Sequence, residues 1–97
     1  MALYDFGNGL VEAHRHANGG GWVADTATVA DTVYVGSNAT VFDYAQVYGS
    51  AWVYGHARVY GDATVYDSAW VSGHAKVSGS AWVYGFAVVS GYARRVV

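Results

Sequence analysis

Apolar positions recur along this chain with a period of six. Valine stands at 23, 29, 35, 41, 47, 53, 59, 65, 71, 77, 83 and 89 without a slip, and the position four residues after each holds alanine in every case but Val33. The register runs from Val23 to Arg94, which is 72 residues or twelve hexads, and it breaks at Arg95. A strict six-residue repeat drifts around a helix of about 3.6 residues per turn, so a helix cannot bury it. Each repeat reads Ala-x-Val-x, as in Ala57-Arg58-Val59-Tyr60. That alternation turns apolar side chains in and polar ones out over one short strand. Two turn residues follow, the first of which is Gly or Asp in eleven of twelve hexads, with Ser37 the exception. Both residue types tolerate the positive φ of a tight corner. A strand and a corner every six residues wind into a parallel β-solenoid. Small Val and Ala inside suit a narrow triangular section with three hexads per coil. Four coils then stand roughly 20 Å tall at about 4.8 Å per coil.

Residues 1–22 precede the repeat and 23–97 carry it. The first segment predicts a hairpin, Leu3–Phe6 with Leu10–His16 around Gly7-Asn8-Gly9, which caps the first coil or docks on a partner. Spacing by eighteen residues stacks equivalent positions into columns. The first face presents Thr28, Gln46, Thr64 and Trp82 beside Ala30, Tyr48, Tyr66 and Tyr84. The second presents Tyr34, Trp52, Trp70 and Val88 beside Gly36, Tyr54, Ser72 and Ser90. Trp22, Thr40, Arg58, Lys76 and Arg94 mark the third, beside Ala24, Phe42, Tyr60, Ser78 and Val96. Two adjacent faces are therefore aromatic, and the third holds most of the positive charge. Arg58 has Asp62 within its own coil as a pairing partner. At the far end Arg94 and Arg95 place charge where a further coil would stack.

Composition narrows the picture. With Pro 0, Cys 0 and 12% charged residues, the chain is neither disordered nor stapled by disulfides, and it offers no cysteine ligand to a metal. A net charge of −2 gives no drive toward nucleic acid. No run approaches 18 apolar residues, so no helical membrane span is expected. The N-terminal stretch lacks a charged start followed by an apolar run, and the chain is read as made in the cytoplasm without a signal peptide.

The uninterrupted hexads resemble the hexapeptide-repeat proteins, which implies an all-β, left-handed parallel β-helix and, typically, a homotrimer. The stretch His16-Ala17-Asn18-Gly19-Gly20-Gly21-Trp22-Val23-Ala24-Asp25-Thr26-Ala27, followed by Val-Tyr-Gly-x-Ala hexads, is similar to short hexapeptide proteins of phage and bacterial genomes. Trimerisation also answers a physical need. A core of Val and Ala this thin leaves much of the cost of ordering the backbone to be met by further burial. The expected interface residues are Tyr48, Trp52, Tyr54, Tyr66, Trp70, Trp82, Tyr84 and Phe86, around a corner marked by Thr32, Ser50, Ser68 and Phe86 that points to the threefold axis. Arg58, Lys76 and Arg94, with His14 and His16 on the hairpin, form the expected docking surface.

Candidate chemistry is sparse. His56 and His74 stack at one corner in the column Asn38, His56, His74, Tyr92. Carbonic anhydrase-like trimers of this family hold zinc between subunits with three histidines, but the spacing here differs and no carboxylate supports the pair. His14 and His16 make a His-x-His without a third ligand. Both pairs are read as exposed polar residues, so no metal, cofactor or catalytic residue is assigned. Hexapeptide acyltransferases usually carry a loop excursion with a catalytic His, which this array lacks. The resulting expectation is a non-enzymatic trimeric module that docks on or decorates a larger assembly such as a phage virion, as a capsid cement or tail component. A minimal trimeric enzyme, acyl-transferring or zinc-dependent, is one alternative. A glycan-binding module using exposed Trp and Tyr is the other.

Overall fold

The computed structural model describes residues 2–96, with the side chains of Arg95 and Val96 outside the described set. Two longer strands come first, β1 (Ala2–Asp5) and β2 (Leu10–Arg15). The first coil holds β3 (Trp22–Ala24), β4 (Thr28–Val29) and β5 (Tyr34–Val35), and the second β6 (Thr40–Val41), β7 (Gln46–Val47) and β8 (Trp52–Val53). The third coil holds β9 (Arg58–Val59), β10 (Thr64–Val65) and β11 (Trp70–Val71). The fourth holds β12 (Lys76–Ser78), β13 (Trp82–Val83) and β14 (Val88–Val89), and β15 (Arg94–Val96) adds one more rung. The architecture is an all-β solenoid of stacked parallel coils, as the six-residue period predicts.

Three sheets form its sides. β4, β7, β10 and β13 stack on one face, and β5, β8, β11 and β14 on the next. The third sheet has seven strands in the order β1-β2-β3-β6-β9-β12-β15. Register follows the eighteen-residue columns: Trp52 lies beside Trp70, Gln46 beside Thr64, and Arg58 between Thr40 and Lys76. Inside, eleven of the hexad valines are fully buried together with Val33. Val29 is only partly buried, because β4 is the outermost strand of its sheet. At the far end β15 keeps the register, with Arg95 paired to Val77, so the backbone continues where the valine repeat stops. The side chain of Arg95, assigned above to ending the stack, lies outside the described residues.

Corners obey the Gly/Asp rule from the second coil onward. Asp43 and Asp67 adopt φ of 58° and 59°. Their Oδ2 atoms each accept the N–H of the glycine one coil above, Gly61 and Gly85, at 3.1 Å, which helps to offset the left-handed cost. Gly73 shows why glycine dominates: at φ +63°, a Cβ would stand 2.8 Å from the Gly91 nitrogen. The three corners of the first coil, Asp25, Asp31 and Ser37, are not left-handed. Elsewhere the N–H that follows a corner donates to the corner carbonyl of the next coil, as from Tyr44 to Gly61 and from His56 to Gly73. In the first coil the Thr26 and Thr32 hydroxyls make the equivalent bonds, to the Asp43 and Gly49 carbonyls.

The N-terminal segment closes two of the three exposed edges of the first coil. β2 pairs antiparallel with β3, Ala13 opposite Ala24, and β1 pairs antiparallel with β2. Residues 16–21 then cover the edge of β5: Gly21 N–H donates to the Val35 carbonyl (2.9 Å) and Val35 N–H to Asn18 (3.0 Å). The close approach requires glycine, since a Cβ on Gly21 would lie 2.4 Å from the Gly36 oxygen.

Candidate interaction surfaces

On the first two faces, rings one coil apart stack because parallel pairing sets their backbones one strand spacing apart. Tyr48 lies 5.1 Å from Tyr66 at an interplanar angle of 8°, and Tyr66 lies 5.5 Å from Tyr84 at 14°. Around the corner Tyr34, Trp52 and Trp70 follow at 5.0 and 5.5 Å, with Tyr54 edge-on to both tryptophans. Trp82 meets Tyr66 edge-on, and Phe86 at the corner between the ladders is 90% exposed. In the Tyr48–Tyr66–Tyr84 and Trp52–Trp70 stacks the inner rings turn their faces to one another. The eight residues expected at an interface thus stand on two adjoining faces, with Tyr54 and Tyr66 half-buried and the other six exposed. Loss of hydration, and then the charges of Tyr48, Asp67 and Tyr84, hold the Tyr66 hydroxyl above the ordinary tyrosine pKa.

The third face differs from its expected outward display. A third ladder, Phe42 and Tyr60, and Trp22 in the neighbouring column are packed against the hairpin. Tyr4 stacks on Trp22 at 4.8 Å, and Phe6 on Phe42 at 4.8 Å and 13°. Phe42 stacks on Tyr60 at 4.8 Å and 5°. Phe6, Ala13, Ala24 and Phe42 are buried here and form a second small core outside the solenoid. Arg58 is half-buried and does not pair with Asp62. Its Nη2–H donates to the Phe6 carbonyl, and its guanidinium lies 5.0 Å from the Phe42 ring centre. The reason is proximity: the hairpin brings the Phe6 carbonyl to a guanidinium that already lies over the Phe42 and Tyr60 rings of the coils. Under the hairpin turn a cavity of about 350 Å³ lies between Phe6, Val11, Ala24 and Phe42, with Glu12, Asp25 and Asp43 around it.

The histidines divide. His14 is exposed and its Nδ1 lies within hydrogen-bond distance, 2.7 Å, of the Asp25 carboxylate. His16, expected on the surface, is buried at 5% exposure, where its Nε2–H donates to the Val33 carbonyl at 2.7 Å. It belongs to the loop that closes β5, and a buried imidazole needs such a partner. His56 and His74 stack at 5.0 Å and 7°, with Tyr92 continuing the column at 5.0 Å and 5°. Both histidines are exposed, and with Arg58, Lys76, Tyr92 and Arg94 they line a groove of about 300 Å³. Among the described residues no three His, Cys, Asp or Glu side chains come together to hold a metal.

Sequence reasoning missed the covering role of Tyr4 and Phe6. Two signals pointed to it: aromatic residues at alternate positions, Tyr4 in β1 and Phe6 just after it, and the Gly19-Gly20-Gly21 run, which suits a close backbone approach. Among known families, the model of the YdcK beta solenoid repeat matches residues 51–67 and 57–73, the stretch that carries β8 to β11. No curated protein and no solved structure matches the chain. The match over the middle coils supports a β-solenoid repeat protein.

Proposed function

We propose that this chain is a non-enzymatic assembly module. In this reading it is a left-handed hexapeptide-repeat rod that joins two copies of itself through its open aromatic faces. The resulting trimer docks on or decorates a larger assembly of the virion type, as a capsid cement or tail component. One observation carries the reading: the protein covers one of its three aromatic ladders with its own hairpin and leaves the other two bare on adjoining faces. Contiguous exposed apolar surface of that kind marks a protein interface. The orientation of the rings favours packing against protein over stacking on sugar, because a sugar ring stacks on an aromatic face and the inner rungs present edges. The hairpin and the Arg58–Lys76–Arg94 column lie on the remaining side, which such a trimer leaves open for docking.

Light scattering of the purified chain tests the central claim. The expected mass is that of three chains, falling to one in Trp52→Ser/Trp70→Ser with the far-UV β-spectrum unchanged. A wild type that remains a single chain at all concentrations, or a variant that keeps the trimer mass, overturns the interface.

A further inference from the structure

The cavity under the hairpin turn joins the hairpin to the first two coils. Phe6 and Val11 reach it from the hairpin, Ala24 and Asp25 from the first coil, and Phe42 and Asp43 from the second. Its volume, about 350 Å³, lies near the lower end of the range of about 300–1,000 Å³ in which proteins hold small molecules. The apolar side chains Phe6, Ala24 and Phe42 around it are buried, with half-exposed Val11 beside them. The charges around it have one sign. Glu12, Asp25 and Asp43 line the cavity, and among the described residues no Lys, Arg or His does. Two of these carboxylates are partly engaged: Asp25 meets the His14 Nδ1 at 2.7 Å, and Asp43 accepts the Gly61 N–H on Oδ2 at 3.1 Å. Glu12 is fixed through its backbone, its carbonyl accepting the Asp25 N–H at 2.9 Å. Arg58 lies against the Phe42 ring but lines the neighbouring groove.

We infer that this cavity binds a small organic cation, an amine carried on an apolar body such as an aromatic ring. The site goes beyond the assembly reading and does not rest on it. Phe6, Val11 and Phe42 select the apolar body, which removes their surface from water. The carboxylates select the charge. A neutral molecule of the same shape strips water from Glu12 and Asp43 and gives them no partner, and an anion meets three like charges. A bare metal ion does not fit, because no three His, Cys, Asp or Glu side chains come together among the described residues. Since hairpin and coils both line the cavity, its occupant touches both. Binding therefore holds the hairpin against the solenoid, by the general rule that a ligand stabilises the state that binds it.

An amide NMR titration of the whole chain with phenethylamine tests this. The comparison probes are phenethyl alcohol, which lacks the charge, phenylpropionate, which reverses it, and N-acetyl-lysine amide, which offers the side chain a protein partner would insert. The amine should shift the Gly9, Val11, Glu12 and Thr26 amides to saturation and slow hydrogen exchange in β1 and β2. The alcohol should bind roughly tenfold more weakly and the propionate not at all. Glu12→Gln/Asp43→Asn removes two charges at nearly constant shape, and asparagine tolerates the φ of 58° at that corner. It should bind the amine roughly tenfold more weakly, and Glu12→Gln alone, at an exposed position, about threefold. The inference is overturned if the amine gives no saturable shift at those amides, or if the alcohol or the propionate binds as tightly. It is equally overturned if the lysine derivative binds more tightly than the amine, or if Glu12→Gln leaves amine binding unchanged.

Discussion

Replacing Phe6 by alanine separates the hairpin from the solenoid. Phe6 is 7% exposed, its ring lies 4.8 Å from Phe42, and its carbonyl receives the Arg58 guanidinium. Burying a phenylalanine side chain contributes about 1.5–3 kcal/mol. An offset ring pair contributes about 0.5–1.5 kcal/mol more. Phe6→Ala therefore removes about 3 kcal/mol from hairpin docking, enough to raise the opened population by roughly two orders of magnitude. The coils keep their own hydrogen bonds and valine core, so the loss stays local. Amide hydrogen exchange is the assay. Protection in β1 and β2 should fall about a hundredfold, while the amides of Tyr48, Tyr66 and Tyr54, bonded within the solenoid, hold theirs. Equal loss across hairpin and coils would mean one cooperative unit and refute the reasoning. So would unchanged protection in the hairpin.

Two further outcomes follow from the corners and the ladders. Gly85→Ala meets nothing within 4 Å and should cost only the left-handed penalty of about 1–2 kcal/mol. Gly73→Ala drives its Cβ against the Gly91 backbone and should cost about 1–3 kcal/mol beyond that, read as a lower denaturant midpoint; equal midpoints for the two variants would refute the close approach. Tyr66 holds its proton longer in the folded chain than in the unfolded one, so the stability it contributes is complete below about pH 10 and is lost as pH rises through the folded value. Thermal melts across alkaline pH should fall less steeply for Tyr66→Phe than for wild type, and identical slopes would show that the ladder does not perturb it.

The fold was legible because its information is local. Val59 buried, Arg58 outward and Gly61 at the corner all follow from a repeat of six, and the pairing of Trp52 with Trp70 follows from three repeats per coil. The candidate surfaces were legible only in part. Trp52, Trp70 and Phe86 are exposed where the columns place them, whereas Phe42 and Ala24 belong to the same kind of column and are buried. Nothing in the repeat distinguishes the two cases.

Sequence by itself set the solenoid, its register and the residues on each face, since alternation and a period of six, three to a coil, turn every hexad valine inward. Tertiary structure alone decided that the hairpin turns back antiparallel on β3 and closes over the third face. It also decided that His16 is enclosed and that Arg58 meets a carbonyl 52 residues away. Those contacts join segments that share no period, and their geometry is set by which edge and which ring lie within reach once the coils are formed.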